Sequence, residues 1–198
     1  MKSYAVAISG ASGAVYGIRL LEYLSKEGHK VYLTASSDGL SIIRNEVGID
    51  WLGGETEVNR DIKERFGGDI GYFEESNLNA PISSGSVYLD GMIVIPCSMK
   101  AMSAIANGFS SNLIERAADV TIKERRRLVI VPRETPLSAI HLRNMLTLAE
   151  TGVHIIPAMP AFYNNPKSID HMVDFIVGRV LDSLGIQNNL FTRWGKDP

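Results

Sequence analysis

The stretch that decides the fold lies near the amino terminus and reads Tyr4-Ala5-Val6-Ala7-Ile8-Ser9-Gly10-Ala11-Ser12-Gly13. Its apolar first half is typical of a buried strand, and the glycines after it mark a tight turn. A helical pattern follows from Ala14 to Glu27 and ends at Gly28. Strand, turn and helix in this order indicate the first unit of a parallel α/β sheet.

The same alternation continues along the chain. Further strands are predicted at Lys30 to Ser36, Gly91 to Pro96, Leu128 to Pro132 and His154 to Pro157. Three further helices are predicted, from Asn112 to about Arg126, from Thr135-Pro136 to Glu150, and from Ser168 to Leu184. Asn112 forms a capping-box pattern with Glu115 at the start of the first of them. Parallel neighbours need crossover connections, so the pattern predicts a doubly wound, mostly parallel sheet with helices on both faces.

The segment from Trp51 to Asp90 is the least regular. It contains several glycines and acidic residues and shows no clear period. We expect a surface excursion that folds over a site or joins a subunit contact.

Composition limits the classes of function. The chain has 198 residues, 45% of them hydrophobic, and a formal net charge of -2, which predicts a single domain over 1–198 and gives no electrostatic reason to expect nucleic acid or an anionic membrane as partner. No apolar run approaches the roughly 20 residues that span a bilayer. One cysteine, Cys97, cannot form an internal disulfide, which suits a reducing, cytoplasmic location.

Ligands of doubly wound sheets bind beyond the carboxyl ends of the strands. The residues there are Gly10-Ala11-Ser12-Gly13, Ser36-Ser37, Pro96-Cys97-Ser98-Met99-Lys100, Arg133-Glu134-Thr135 and Ala161-Phe162-Tyr163. The glycine turn precedes a helix, where free N–H groups favour a phosphate, but it matches neither a dinucleotide fingerprint nor a Walker A sequence. The alternative is a tight turn in which Ser12 caps the helix.

Charged residues suggest a second, anionic ligand. Arg116 and Lys123 are seven residues apart on one predicted helix and share a face, although a solvated helix end explains Lys123 equally well. Arg133 suits an anion and Glu134 suits a proton donor to a leaving group, unless the two only cap the next helix.

Two residues near the carboxyl terminus are ambiguous in the same way. Arg179 lies at the edge of an apolar helix face and suits an anion, or it pairs with Asp182. Tyr163 follows the last predicted strand and suits a ligand contact, or it covers the core.

Cys97 and the histidines suggest no further chemistry. No histidine is close to Cys97 in sequence, so a buried structural thiol is the better interpretation. The four histidines lack metal-site spacing, and we expect no catalytic metal.

A set of blocks in order resembles the UbiX/Pad family of flavin prenyltransferases over nearly the whole chain. The blocks are Ile8-Ser9-Gly10-Ala11-Ser12-Gly13-Ala14, Ile82-Ser83-Ser84-Gly85-Ser86, Ile95-Pro96-Cys97-Ser98, Arg116-Ala117-Ala118-Asp119-Val120, Lys123-Glu124-Arg125-Arg126, Arg133-Glu134-Thr135-Pro136-Leu137, Pro160-Ala161-Phe162-Tyr163 and Arg193-Trp194. The resemblance implies a Rossmann-like (flavodoxin-like) flavoprotein. It also implies transfer of a dimethylallyl group from dimethylallyl phosphate to reduced FMN, without a metal, and a prenylated FMN that UbiD-type decarboxylases use.

The resemblance also assigns residues. Those that would bind FMN are Gly10, Ala11, Ser12, Ser36, Ser98, Met99, Lys100, Ala101 and Arg133. Those that would surround the allylic phosphate are Arg116, Lys123, Glu134, Tyr163 and Arg179. Glu46 matches the family's acid near the flavin and with Ser12 would shuttle protons during ring closure, so Ser12, Glu46, Lys123 and Glu134 are the predicted catalytic residues.

One departure and two rival functions stay open. Some members carry tryptophan where this chain has Leu78, so the preferred prenyl donor could differ. A flavin-dependent peptidyl- or pantothenoyl-cysteine decarboxylase shares the fold class, but its catalytic histidine has no counterpart here. A non-catalytic FMN carrier would need no phosphate cage. Members of the family assemble into dodecamers, which predicts a homo-dodecamer.

Overall fold

A computed structural model describes residues 1–195 and shows a six-stranded parallel sheet. The strands are β1 (Ser3–Ile8), β2 (Lys30–Ala35), β3 (Ile70–Glu74), β4 (Gly91–Cys97), β5 (Arg127–Pro132) and β6 (His154–Ile155). Their order is β3-β2-β1-β4-β5-β6, and every neighbouring pair is parallel. This is the strand order of a Rossmann-type sheet, so the predicted fold class is confirmed.

Helices cover both faces. They are α1 (Ala14–Lys26), α2 (Ser37–Val47), α3 (Glu55–Phe66), α4 (Met99–Ala106), α5 (Leu113–Lys123), α6 (Ala139–Glu150) and α7 (Ile169–Ser183). The two cores follow the alternation of β1: Tyr4 and Val6 pack with α1, α2, α3 and α7, whereas Ala5 and Ala7 pack with α4, α5 and α6. Just beyond three of the predicted helix ends, Gly28, Gly152 and Gly185 adopt the left-handed conformation, with φ angles of 69°, 89° and 68°.

The expectation of an irregular excursion at 51–90 is wrong in part. The segment contains α3 and β3, and Trp51 is 1% exposed in the core. Helix α3 was not predicted because most of its residues are polar or charged and only Val58 and Ile62 are buried. Strand β3 was not predicted because it is short, lies at the sheet edge and shows no clear alternation of apolar and polar residues.

Two helix boundaries also differ from prediction. The third predicted helix begins at Ala139, capped by Ser138, because Thr135 and Pro136 remain outside it. The helix capped by Asn112 ends at Lys123 instead of near Arg126, and Arg125 adopts a positive φ of 53° just beyond it. The described helices include none long and apolar enough to cross a membrane.

Candidate functional site

The ends of β1 and β4 meet at the centre of the sheet, where the strand order reverses. Ser9 joins them: its Oγ donates to the Pro96 carbonyl (3.1 Å) and accepts from the Ser98 N–H (2.8 Å). This is the position at which open α/β sheets bind ligands. A cleft opens beside it, lined by Ser9, Gly10, Ser36, Ser37, Asp38, Glu75, Ser98, Lys100, Ala101, Asn112, Ile114 and Glu115.

Close packing of α2 against β1 shapes this cleft. A Cβ at Gly10 would lie 2.4 Å from the Cβ of Asp38, so only glycine allows the first turn of α2 to come this near. Ser36 caps α2 by accepting from the Gly39 N–H (3.0 Å), and Ser98 caps α4 by accepting from the Ala101 N–H (3.2 Å). Gly10, Ser36, Ser98, Lys100 and Ala101, predicted from separate parts of the sequence, therefore line one cavity.

The N-terminus of α1 does not offer the free N–H groups that the sequence suggested for a phosphate. Glu46 Oε2 accepts from the Gly13 N–H (2.8 Å) and the Ala14 N–H (3.0 Å). The cap residue is Gly13, with φ 105° and no side-chain hydrogen bond, so Ser12 is not the helix cap. A carboxylate of the chain already occupies the place expected for a phosphate.

The same contacts set the charge of Glu46. Desolvation raises the pKa of Glu46, but hydrogen bonds from the Ser12 side chain and from the Gly13 and Ala14 N–H groups outweigh it, and the Arg133 charge adds to them. The net pKa lies below its usual value, so the carboxylate is ionised at neutral pH. Ser12 and Glu46 are thus brought together, as predicted.

Carboxylates of the chain also bind other helix N-termini around the cleft. Glu75 Oε1 accepts from the Ser37 N–H at the start of α2 (2.7 Å), and Glu115 Oε2 accepts from the Ser111 N–H beside α5 (2.8 Å). Among the described residues, no acceptor contacts the Met99 and Lys100 N–H groups at the start of α4. Of the helix N-termini that line the cleft, α4 is therefore the one suited to an external anion.

Sequence reasoning missed Asp38, Glu75 and Glu115 as residues of the cleft. Asp38 directly follows Ser37 at the end of β2 and was detectable. Glu75 follows β3, which was not predicted, and Glu115 was interpreted only as part of a helix cap. The first of these misses has a signal in sequence, but the others depend on the tertiary fold.

Arg133 connects the end of β5 to the same region. Its Nε donates to the Ser12 carbonyl (3.1 Å), which places its guanidinium beside the glycine turn. Glu134 is exposed, and its Oε1 accepts from the Thr135 N–H (3.0 Å). Ala11, which is buried, completes the turn that Arg133 contacts.

Arg116 and Lys123 do not converge within the chain. Seven residues on a helix span about 10 Å along its axis. Arg116 donates to the Ser83 carbonyl (3.0 Å) and pairs with Asp119 (3.1 Å), and Lys123 pairs with Glu124 (2.8 Å). Both are partly exposed, so these local pairs leave them accessible.

Tyr163 and Arg179 do lie on one side of α7. The Tyr163 ring packs edge-on against Phe175, with centroids 6.0 Å apart, and Phe175 is one helical turn before Arg179. Arg179 is 53% exposed and lies 3.4 Å from Asp182, which is the ion pair considered from sequence. Tyr163 and Arg179 are distant in sequence from the residues that line the cleft, and Arg179 lies on α7, which contributes no residue to that lining.

Other predictions concern single residues. Cys97 is buried, and burial raises the pKa of its thiol to about 12, which is consistent with the expected structural role. Leu78 is 46% exposed in the loop after β3. Residues 1–195 contain no group of three His, Cys, Asp or Glu side chains arranged to hold a metal ion.

Comparison with known proteins agrees with this geometry. The family model described as Flavoprotein matches residues 2–181. The flavin prenyltransferase UbiX of Halalkalibacterium halodurans is 51% identical over 98% of this chain and 94% of its own. The chain belongs to the flavin prenyltransferase family. The predicted family and enzyme class are thereby confirmed.

Solved structures of similar proteins extend the comparison. The crystal structure of AnUbiX (PadA1) in complex with FMN and dimethylallyl pyrophosphate is 41% identical with a TM-score of 0.90, over 100% of this chain and 99% of that one. A dodecameric FMN-dependent UbiX-like decarboxylase from Escherichia coli O157:H7 is 41% identical, with a TM-score of 0.88 over 98% and 100% of the two chains.

The rival cysteine-type decarboxylases are more remote. A PPC decarboxylase complexed with pantothenoylaminoethenethiol is 17% identical, with a TM-score of 0.60 over 80% of this chain and 83% of that one. Similarity at this level shows a shared fold and nothing more about this flavin prenyltransferase family member.

Proposed function

We propose that this chain transfers a dimethylallyl group from dimethylallyl phosphate to reduced FMN, and that UbiD-type decarboxylases receive the prenylated FMN. The observation that carries the proposal is the full-length similarity to a solved flavin prenyltransferase that holds FMN and a dimethylallyl donor. The choice of the monophosphate as donor and of a UbiD-type decarboxylase as recipient rests on the family resemblance.

The residues at the carboxyl edge fit FMN. The α4 N-terminus, with the free Met99 and Lys100 N–H groups and the Lys100 charge, suits the phosphate group. The hydroxyls of Ser36 and Ser98 and the carboxylate of Glu75 suit a chain of hydroxyl groups. Bound reduced FMN supplies the electron-rich ring that accepts the allyl group.

The donor needs fixed positive charge and a proton. Departure of phosphate from an allylic carbon is fastest when cations stabilise the developing charge. Arg116, Lys123 and Arg179 would provide the cations from partly exposed side chains, and the exposed carboxyl group of Glu134 would protonate the leaving phosphate. Ser12 and Glu46, which lie close together at the start of α1, would hold and move the proton released during ring closure.

Assembly would bring the separated residues together. Arg116 and Lys123 lie about two helical turns apart on α5, and within the described residues no hydrogen bond or ion pair joins either of them to Tyr163 or Arg179. Within the described structure, Leu148 is the one fully buried residue of α6, while Ile140, Leu142 and Leu146 are more than half exposed. We propose a homo-dodecamer in which neighbouring copies complete the site, and a cytoplasmic location that suits the unpaired Cys97. A light-scattering mass of one chain at micromolar concentration would contradict the assembly.

The deciding experiment is anaerobic incubation of the protein with reduced FMN and dimethylallyl phosphate. We expect a released flavin that is heavier by one five-carbon unit, measured by mass spectrometry, together with free phosphate. Unchanged FMN that stays tightly bound would contradict prenyl transfer and favour a carrier or a decarboxylase.

Two variants locate the chemistry. Lys123→Ala and Glu134→Gln should bind FMN normally but slow phosphate release about 100-fold or more, the usual effect of removing general acid or electrostatic assistance. Lys63→Ala, on the exposed last turn of α3, is the matched control and should keep the full rate. Normal rates in both Lys123→Ala and Glu134→Gln would exclude the assigned phosphate site.

A further inference from the structure

Asp182 lies at the centre of a small charge network on the last turn of α7. Arg193 contacts both of its oxygens, with Nη2 2.7 Å from Oδ1 and Nη1 2.9 Å from Oδ2. Asn188 donates to Oδ1 (3.0 Å), and Arg179 Nη1 lies 3.4 Å from Oδ2. Arg193 therefore makes the close, two-pronged contact, and Arg179 makes the longest one.

Arg193 is also held by neighbours other than Asp182. Its Nη2 donates to the Asn188 carbonyl (3.3 Å), and its guanidinium lies over the Phe191 ring, 5.3 Å from the centroid. Arg179 makes no other hydrogen bond within the described residues and is 53% exposed. The network thus keeps one arginine fixed and leaves the other available.

We propose that Arg193 is a positioning residue for the prenyl-donor site, because it engages both oxygens of Asp182 and so limits the Asp182–Arg179 ion pair to one long contact, which the donor's phosphate can displace. The inference rests on the function proposed above, in which Arg179 and Tyr163 bind that phosphate. An aspartate three residues after an arginine on a helix pairs with it when nothing competes. Without Arg193, Asp182 turns to Arg179 and neutralises the charge that the donor needs.

The test is the affinity for dimethylallyl phosphate, titrated calorimetrically into protein loaded with oxidised FMN, where no transfer takes place. An exposed ion pair of this kind changes an equilibrium by about 1.4- to 5-fold. We expect Arg193→Gln to raise the donor Kd by such a factor and to leave the FMN Kd unchanged. In turnover with reduced FMN, the same variant should raise KM for the donor and keep kcat.

The double variant Arg193→Gln/Asp182→Asn separates the proposal from a purely structural role. With the competing carboxylate removed, the donor Kd should return to the wild-type value. The Trp194 ring, next to Arg193, packs edge-on against Tyr163 with centroids 5.2 Å apart. If Arg193 only holds this contact in place, the second substitution restores nothing. A donor Kd that stays weak in the double variant, or that never changes in Arg193→Gln, overturns the proposal.

The pair Arg19–Asp174 supplies a matched control. It also ties α7 to another segment, with Nε 2.6 Å from Oδ1, but it lies on the α1 side. Arg19→Gln should lower the thermal midpoint and leave the donor Kd unchanged. Absence of prenylated FMN from the wild type would contradict the proposed function alone, whereas a wild type that binds no donor overturns both.

Discussion

Gly10→Ala tests how the cleft is built. Ser36 N–H donates to the Ile8 carbonyl (3.0 Å), which draws the start of α2 against the end of β1. An added Cβ would lie 2.4 Å from the Cβ of Asp38 and 3.3 Å from its Cγ. Carbon atoms in contact lie about 3.5–4.0 Å apart, so the first turn of α2 must move by about 1 Å or more.

The magnitude follows from this displacement. Overpacking of a well-packed region costs about 1–3 kcal/mol. For a domain of this size each kcal/mol lowers the thermal midpoint by about 2–4 °C, so we expect a decrease of about 2–12 °C. Ser36 moves with α2, and loss of one or two hydrogen bonds of about 1 kcal/mol each should weaken FMN binding about tenfold.

The assay combines thermal unfolding with titration of FMN, followed by quenching of its fluorescence. The matched control is Gly71→Ala, because a Cβ there meets only the Phe73 ring at an ordinary 3.5 Å. In Gly10→Ala/Asp38→Gly the clashing atom is absent, and FMN affinity should recover. A Gly10→Ala protein with the stability and affinity of Gly71→Ala would refute the reasoning.

Three further predictions concern single side chains. The lowered pKa of Glu46 means that its carboxylate stabilises the fold above the ordinary value of 4.5 and that this stabilisation is lost as pH falls through the lowered value. Glu46→Gln should therefore lower the thermal midpoint at neutral pH, with a difference from wild type that disappears in acid; a pH-independent difference would contradict this. Ser98→Ala removes a helix cap worth about 0.5–2 kcal/mol and should weaken FMN binding, whereas Ser138→Ala on α6 should cost similar stability without affecting FMN. Cys97 should resist a thiol reagent in the folded protein and react once per chain after denaturation, measured by the released chromophore; rapid reaction of the native protein would be inconsistent with its burial.

The fold was predictable where burial leaves a clear pattern. Strands β1, β4 and β5 are buried along almost their whole length and read as continuous apolar runs. Strand β3 is at the sheet edge, with one fully buried residue among five, and its partner α3 shows mostly charge. At the edge of a sheet, the residue types reflect exposure to solvent as much as packing in the core. The sequence pattern therefore predicted neither β3 nor α3.

The residues of the candidate site were predictable from sequence, but which helix N-termini are already bound by carboxylates of the chain was not. The rule that ligands bind after the strands located Gly10, Ser36, Ser98 and Arg133. It also suggested a phosphate at α1, which Glu46 excludes from 33 residues away in sequence. A helix that begins after a glycine turn looks the same in sequence whether its first N–H groups bind a ligand or a distant carboxylate.

Carboxylates that cap helix N-termini limit the places where an anionic ligand can bind at the carboxyl end of the sheet. Four of the seven described helices begin beside a carboxylate, from Glu46 at α1, Glu75 at α2, Glu74 at α3 and Glu115 at α5. Each N-terminus carries a partial positive charge that would otherwise attract phosphate. With those positions filled, the phosphate of FMN would meet repulsion at α2 and α5 and attraction at α4, so under the proposed function these acids would orient the flavin without touching its ring.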